Sequence, residues 1–472
     1  MAGIGFQLRQ LTVEGTFIGD VKAYAYAGII SAGPWLISVM CLAFLWVFSY
    51  PALDLGLQKL FRVAVIYSFA YSLITTGIIQ LVVTRFLADR LYLKQKNILL
   101  PTYTALILLT VLIQGASAAI FYAFSNVSLS FKIVGVMLYI AVSCIWQSMI
   151  FLSASRDYMA IVKAFFIGAV ISFFGALLFG HYYGITGHLF GFTIGQIVTV
   201  FLFMYRIFYE FDSTVVCRFD FVRQIPHYTD LLLVGTFYYM AIWVDKIIYW
   251  YSPAGEHITA LFYSQYPYDS CVFIAFLTII PALAHFLVDV ETNFYEAYKD
   301  FYGTIINKGS YQTIMIKKKQ LTETLTQTCS RIFVMQTVVT TLFLFLAPHF
   351  VQLMSLNKRE HLWTVWAAGV GAYFHSFLLI IFIIILYFNR RREALWLSLF
   401  FLVSNFVTSF IVMYFFPKYM GVGYAVATFL SCLVALLILL WDIANIEYLT
   451  FVEQPLSKPS LPKKRGLAVN RV

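Results

Sequence analysis

Charge is what this chain lacks most. Asp, Glu, Lys and Arg together supply 11% of its 472 residues, less than half the share of an ordinary soluble domain. So few polar groups could not cover a protein of this length in water, and a string of soluble domains is excluded. Cysteine is sparse and scattered. Cys41, Cys144, Cys217, Cys271, Cys329 and Cys432 form no Cys-x-x-Cys pair, which excludes a zinc ribbon and leaves small hydrophobic side chains. The motifs of nucleotide and metal chemistry are missing as well: no Walker loop, dinucleotide fingerprint or His-Glu-x-x-His. The nearest approach to an Asp-x-Asp clamp is Asp289-Val290-Glu291, at the end of an apolar run. The longest loops assigned to the outer side reach only about a dozen residues, at 51–62, 252–262 and 351–361, too short for an extracytoplasmic catalytic domain. The expectation is a non-enzyme without metal or cofactor.

Apolar residues make up 61% of the chain and mean hydropathy is +0.83. Runs of about 20 residues, each long enough to cross a bilayer as a helix, recur from end to end. The reading is all-α: a polytopic membrane protein with twelve spans in two six-helix bundles. The first six lie near 25–48, 63–88, 98–124, 132–153, 161–180 and 185–205. The second six lie near 229–251, 263–288, 331–350, 362–388, 394–416 and 421–443. Residues 1–24 form an interfacial segment, because Glu14 and Asp20 interrupt what would otherwise resemble a signal peptide. The bundles occupy 25–205 and 229–443, joined by a linker at 206–228, and 444–472 is a basic tail.

With both termini cytoplasmic, 25 of the 32 basic residues fall on the inner side and six on the outer, Lys246 lying within a span. This positive-inside bias sets the orientation. The net charge of +10 reports topology and contact with anionic lipid, not a nucleic-acid partner. The connections "HYYGITGHLFGFTIGQ" and "PKYMGVGYAVATFLS" align at Gly184 and Gly421, each an aromatic-x-Gly turn before the last helix of a six-span half. Matching halves point to a duplicated transporter.

The opening "MAGIGFQLRQL", the segment "AYAYAGIISAGPWLIS" at 23–38 and the tyrosine-rich "YSQYPYD" at 263–269 resemble the PelG family, the inner-membrane component of Pel exopolysaccharide systems. The resemblance implies a MATE/flippase-like fold of the multidrug/oligosaccharidyl-lipid/polysaccharide exporter superfamily. It also implies export of an amino-sugar-rich polymer across the bacterial inner membrane for a biofilm matrix. The partners it implies are a PelF-type cytosolic glycosyltransferase and PelD-type and PelE-type membrane proteins. The alternatives are an ion-coupled exporter of drugs or lipid-linked oligosaccharides, and a non-transporting scaffold of a synthase complex. Spans one to six hold no central Asp or Glu, which disfavours ion coupling there.

Candidate site residues come from the chain itself. "FYYMAIWVDKIIYW" at 237–250 places Asp245 and Lys246 inside an apolar run, and Asp269 lies at matching depth in the next span, roughly 9 Å in. Charges at membrane depth are costly and mark pathways. Neighbours on one helix point about 100° apart, so Lys246 is expected to pair with Asp269. Trp243, Tyr249, Tyr266 and Tyr268 add amphipathic rings suited to sugars. The plainer reading is an interfacial aromatic belt, a snorkelling lysine and a helix-locking ion pair. Gln80, Gln147, Gln196, His188 and His375 are weaker candidates. Gly33-Pro34, Pro267 and Pro281 are expected to kink their spans as hinges.

The segment 289–330 reads as a helical hairpin, with Phe294, Tyr298, Phe301, Tyr302 and Ile305 on one stripe and a stop at Asn307 and Gly309. Ile314, Leu321 and Leu325 mark the returning helix, which carries Lys317, Lys318 and Lys319. Tyr298, Phe301 and Tyr302 would dock the transferase, unless the hairpin lies on the inner leaflet.

Overall fold

A backbone in lipid must satisfy its own hydrogen bonds, so long apolar runs become helices. The computed structural model describes residues 17–48, 54–155, 157–259, 261–354 and 359–452. The first half comprises α1 (Phe17–Phe48), α2 (Leu55–Tyr92), α3 (Leu99–Ala123), α4 (Leu129–Ser155) and α5 (Tyr158–Glu210). A short α6 (Asp220–Gln224) sits in the linker. The second half begins with α7 (Thr229–Trp250), followed by strands β1 (Glu256–Thr259) and β2 (Phe262–Ser264). It continues through α8 (Tyr266–Leu277), α9 (Ile280–Asp289), a π-turn (Val290–Phe294) and α10 (Tyr295–Ile306). The remaining helices are α11 (Tyr311–Leu353), α12 (Arg359–Tyr387), α13 (Arg391–Phe415), α14 (Val422–Ala444) and a short α15 (Ile446–Phe451).

Among the described residues, ten helices are long and apolar enough to cross a membrane, so the chain is a multi-pass membrane protein. One of the ten, α5, would reach roughly 80 Å if straight. It does not, because Gly184 has φ 59° and ψ −142° and folds the two arms onto each other. The Ser172 hydroxyl donates to the Phe192 carbonyl at 2.9 Å, and the Gln196 amide donates to Ser172 at 3.1 Å. A Cβ on Gly191 would lie 2.1 Å from the Gly175 carbonyl, so glycine is required for this approach. The two arms therefore lie side by side as an antiparallel pair. Helix α1 contributes a shorter apolar stretch, Leu36–Leu45. The N-terminal motif at 1–11 lies outside the described residues.

The halves meet along two helix pairs, α2 with α7 and α1 with α9. At the first crossing a Cβ on Gly235 would stand 2.4 Å from the Gly77 carbonyl oxygen. At the second, Gly28 lies against Ile280 and Ala284. Each half has its own apolar core: one around Phe61, Phe131 and Phe192, the other around Tyr238, Phe382 and Phe401.

The structure corrects several expectations. The loop at 252–262 contains an antiparallel hairpin, pairing Glu256 with Ser264 and His257 with Tyr263. Pro267 does not kink a span. It sits in the first turn of α8, where its missing N–H is no loss. Pro281 opens α9 just after a break: Thr278 and Ile279 donate only three residues back, to Ala275 and Phe276. Helix α1 runs through Gly33 and Pro34 as one element, and Gly33 lies 3.8 Å from Val162 as judged from its Cβ position. The stripe at Tyr298, Phe301 and Tyr302 faces its own chain. Phe301 is fully buried, and the Tyr298 hydroxyl reaches the Tyr387 carbonyl at 3.3 Å. An amphipathic helix covers the nearest apolar surface, which here is the end of α12. The turn itself is as expected: α10 stops at Ile306, Gly309 N–H caps the Thr304 carbonyl at 2.8 Å, and Ser310 caps α11.

Candidate functional site

Two polar groupings flank α7 near the end that carries the β-hairpin. The first is buried within the second half. Asp245 is inaccessible and Lys246 is 6% exposed. Lys246 Nζ lies 3.1 Å from Asp245 Oδ2 and 3.2 Å from Oδ1, and donates to the Ile242 carbonyl at 3.0 Å. This corrects the expected pairing with Asp269. Side chains at adjacent positions diverge, but the four-carbon lysine stem folds back far enough to reach its neighbour.

Asp245 accepts two further bonds, from the Tyr268 hydroxyl at 2.5 Å and the Asn405 amide at 3.3 Å. Asn405 also donates to the Ala241 carbonyl and accepts from Ser409. The ammonium stands 5.2 Å from the Phe276 ring centroid and 5.5 Å from that of Tyr424, contacts that soften burial of a cation. Tyr424 hydrogen-bonds His375 Nδ1 at 2.8 Å, and the Tyr238 hydroxyl lies 3.5 Å from His375 Nε2. Tyr249 packs on Tyr268 with centroids 4.4 Å apart. Helices α7, α8, α12, α13 and α14 thus converge on one ion pair.

The second grouping faces the first half. Asp269 accepts the Trp250 indole N–H on both oxygens at 3.0 Å. Trp250 stacks on Tyr67 of α2 at 4.9 Å with planes 16° apart. The Arg62 guanidinium lies over Tyr266 at 4.1 Å. Trp243 packs against the first-half core, 6.1 Å from Trp250. Its indole N–H is buried and has no acceptor among the described residues. Of the seven expected residues, Asp245, Lys246, Tyr249 and Tyr268 share the ion-pair cluster and Tyr266 and Asp269 the inter-half aromatic group, while Trp243 touches both, its ring centroid 5.7 Å from the Lys246 ammonium.

Sequence reading missed Asn405, Ser409, Tyr424 and the pair Arg62 and Tyr67. A lone Asn in "FLVSNFVTSFIV" and an Arg beside an aromatic span start were the available signals. Asn405 meets Asp245 across 160 residues and Tyr67 meets Tyr263 across 196, which no local pattern reveals. Of the weaker candidates, His375 belongs to the ion-pair cluster, whereas Gln147 and Gln196 hold helices within the first half.

At the opposite end a hydrogen bond ties α2 to the start of the second half, beside a charged cluster. The Tyr228 hydroxyl donates to Asp89 at 2.8 Å, and Arg391 lies over the Tyr228 ring and 3.6 Å from Asp230. Burial, then the Asp89 carboxylate, pushes the Tyr228 phenol above its ordinary range. A cavity of about 350 Å³ opens there, lined by Asp89, Arg90, Gln224 and Tyr228 among others. Among the described residues no cluster of His, Cys, Asp and Glu could hold a metal ion.

A family model described as PelG, exopolysaccharide exporter (EPS-E), matches residues 1–451. No curated protein matches the chain. Among solved structures, a Vibrio cholerae MATE transporter, VcmN, in its bent form superposes with a TM-score of 0.62 at 10% identity, over 94% of this chain and 98% of that one. An outward-facing multidrug resistance MATE family transporter of the MOP superfamily gives 0.60 at 15% identity, over 89% and 96%. A MOP superfamily transporter from Pyrococcus furiosus gives 0.55 at 13% identity, over 94% of each chain. These likenesses show a MATE-like fold.

Proposed function

The chain belongs to the PelG family of exopolysaccharide exporters, and from that premise we propose that it conducts a Pel-like, amino-sugar-rich polymer across a bacterial inner membrane between its two halves. Both termini, the α10–α11 turn and the Asp89–Tyr228 end face the cytoplasm in this reading. The β-hairpin end faces outward, a reading that the 25-to-6 distribution of basic residues supports. The partners are a PelF-type glycosyltransferase at the cytoplasmic end and PelD-type and PelE-type membrane proteins. With Phe301 buried, the surface left for the transferase is the linker, where Val215, Val216 and Phe219 are exposed.

The observation that carries the reading is the charged, aromatic cluster kept at membrane depth on α7. Desolvating an ion pair costs several kcal/mol per ion, and ionisable groups in spans mark substrate paths. On the inter-half side, the unpaired Trp243 indole N–H offers a donor to a sugar hydroxyl. Trp250, Tyr266 and Asp269 offer ring faces and a carboxylate for an amino sugar.

The test replaces the pair together, Asp245→Asn with Lys246→Gln, so that no stray buried charge remains. Polymer outside the cells is then measured against the amount of protein in the membrane. At least a tenfold fall in export, with insertion and complex assembly unchanged, is expected. Normal export would leave the pair a structural role only. Lost export with an intact complex would also separate a conduit from a scaffold.

A further inference from the structure

The β-hairpin does not sit idle beside its own half. It reaches across the mouth of the α2–α7 crossing and closes on the first half through four kinds of contact. Phe262 is fully buried and inserts into the first-half core, 5.5 Å from Phe121, 6.1 Å from Tyr122 and 5.4 Å from Tyr67. The Tyr67 hydroxyl works in both directions, donating to the Tyr263 carbonyl and accepting from the Tyr263 N–H, each at 3.1 Å. Lys59 and Glu256 form an ion pair at 2.5 Å at the rim. The Tyr67–Trp250 stack lies immediately below.

Every one of these contacts joins residues 250–263 of the second half to α2 or α3 of the first. Two halves of a transporter expose a path by rocking against each other. Separation at this end must therefore break all four together. The ion pair is half exposed and worth at most about 1 kcal/mol, and a hairpin of three- and four-residue strands has little stability of its own. Tyr67 and Trp250 cover each other's faces while the gap is shut. A sugar ring between them would need centroids on the order of 7–8 Å apart, two van der Waals contacts, against the present 4.9 Å.

We propose that the hairpin is the exit gate of the polymer path, and that Tyr67 and Trp250 are paired sugar-stacking faces uncovered when it lifts. The inference rests on the export reading above. Lifting the hairpin with α7 and α8 would also bring Asp269, which now holds the Trp250 indole, beside the passing residue, where it can meet an ammonium group.

The experiment bridges the gate shut. In a chain whose six cysteines are replaced, Lys59→Cys and Glu256→Cys are linked by a two-carbon bis-methanethiosulfonate reagent, which reduction removes. Bridging is expected to cut polymer export at least tenfold, with recovery on reduction and no effect of the reagent on either single variant. Export at the unbridged rate from fully bridged protein would overturn the gate. Continued export from cells lacking the chain would instead sink the export reading, so the two failures are distinct. Spin labels at the same two positions in purified protein give a readout independent of export. Two distance populations are expected, and a single short distance under all conditions would also overturn the proposal.

Discussion

At the residue scale the problem is a lysine and an aspartate kept together in an apolar environment. Asp245 retains Tyr268 and Asn405 as donors if the lysine is removed, but loses its counter-ion. Lys246 without Asp245 keeps the Ile242 carbonyl and ring faces but loses its directly bonded carboxylate. Asp245→Asn alone and Lys246→Met alone are each expected to destabilise the protein by about 3–5 kcal/mol, the usual result of stranding one buried charge. The double substitution should be milder than either, read as the thermal midpoint of purified protein in detergent. A double variant as unstable as the sum of the singles would mean that the two charges do not depend on each other. Tyr268→Phe removes one O–H donor to a carboxylate and should cost roughly 1.5–3 kcal/mol by the same measurement. What the sequence disclosed here was the existence of charge at depth. The identity of the partners was not disclosed, since Asn405 and Tyr424 reach Asp245 and Lys246 only through folding of spans far apart in the chain.

Elements were more legible than contacts. The alignment of Gly184 with Gly421 anticipated the two glycines that hold positive φ among the described residues, 59° and 94°. Both terminate a turn ahead of the last long helix of a half. Prolines were misplaced because a span boundary and a helix interior look alike in an apolar run, so Pro267 read as a kink and proved to be a helix start. Glycines of α5 make a sharp comparison. Gly191→Ala drives a Cβ to 2.1 Å from the Gly175 backbone and must part the arms. Gly303→Ala on α10 meets nothing within 4 Å and should stabilise by about 0.5–1 kcal/mol through helix propensity. The first should lower the melting midpoint sharply and the second should raise it slightly. Equal effects would mean that the arms of α5 are not in contact. Phe301→Ala belongs with the first kind. Its buried ring should cost about 3–5 kcal/mol, so weakened co-purification of a transferase with this variant would follow from lost stability.

On the scale of the whole molecule, orientation decides what every site can do. The two ends differ in chemistry. One carries the hairpin with Lys59, Arg62 and Glu256. The other gathers Arg85, Arg90, Lys317, Lys318, Arg390 and Arg391, several already paired, as with Lys317 to Asp300 at 2.9 Å and Lys318 to Glu447 at 3.2 Å. Helix α7 separates the ends by roughly 33 Å, about the thickness of a bilayer core. Anionic lipid on the cytoplasmic leaflet favours the basic end there by about 1 kcal/mol per surface lysine or arginine. The prediction follows from that asymmetry. In a chain without its native cysteines, Glu256→Cys should react with a membrane-impermeant maleimide added to intact cells. The Lys319 side chain is 79% exposed, so burial does not protect a substitution there. Lys319→Cys should react only after the membrane is opened. Reaction at Lys319→Cys in intact cells would invert the molecule, place the hairpin on the cytoplasmic side, and turn the proposed exit into an entrance.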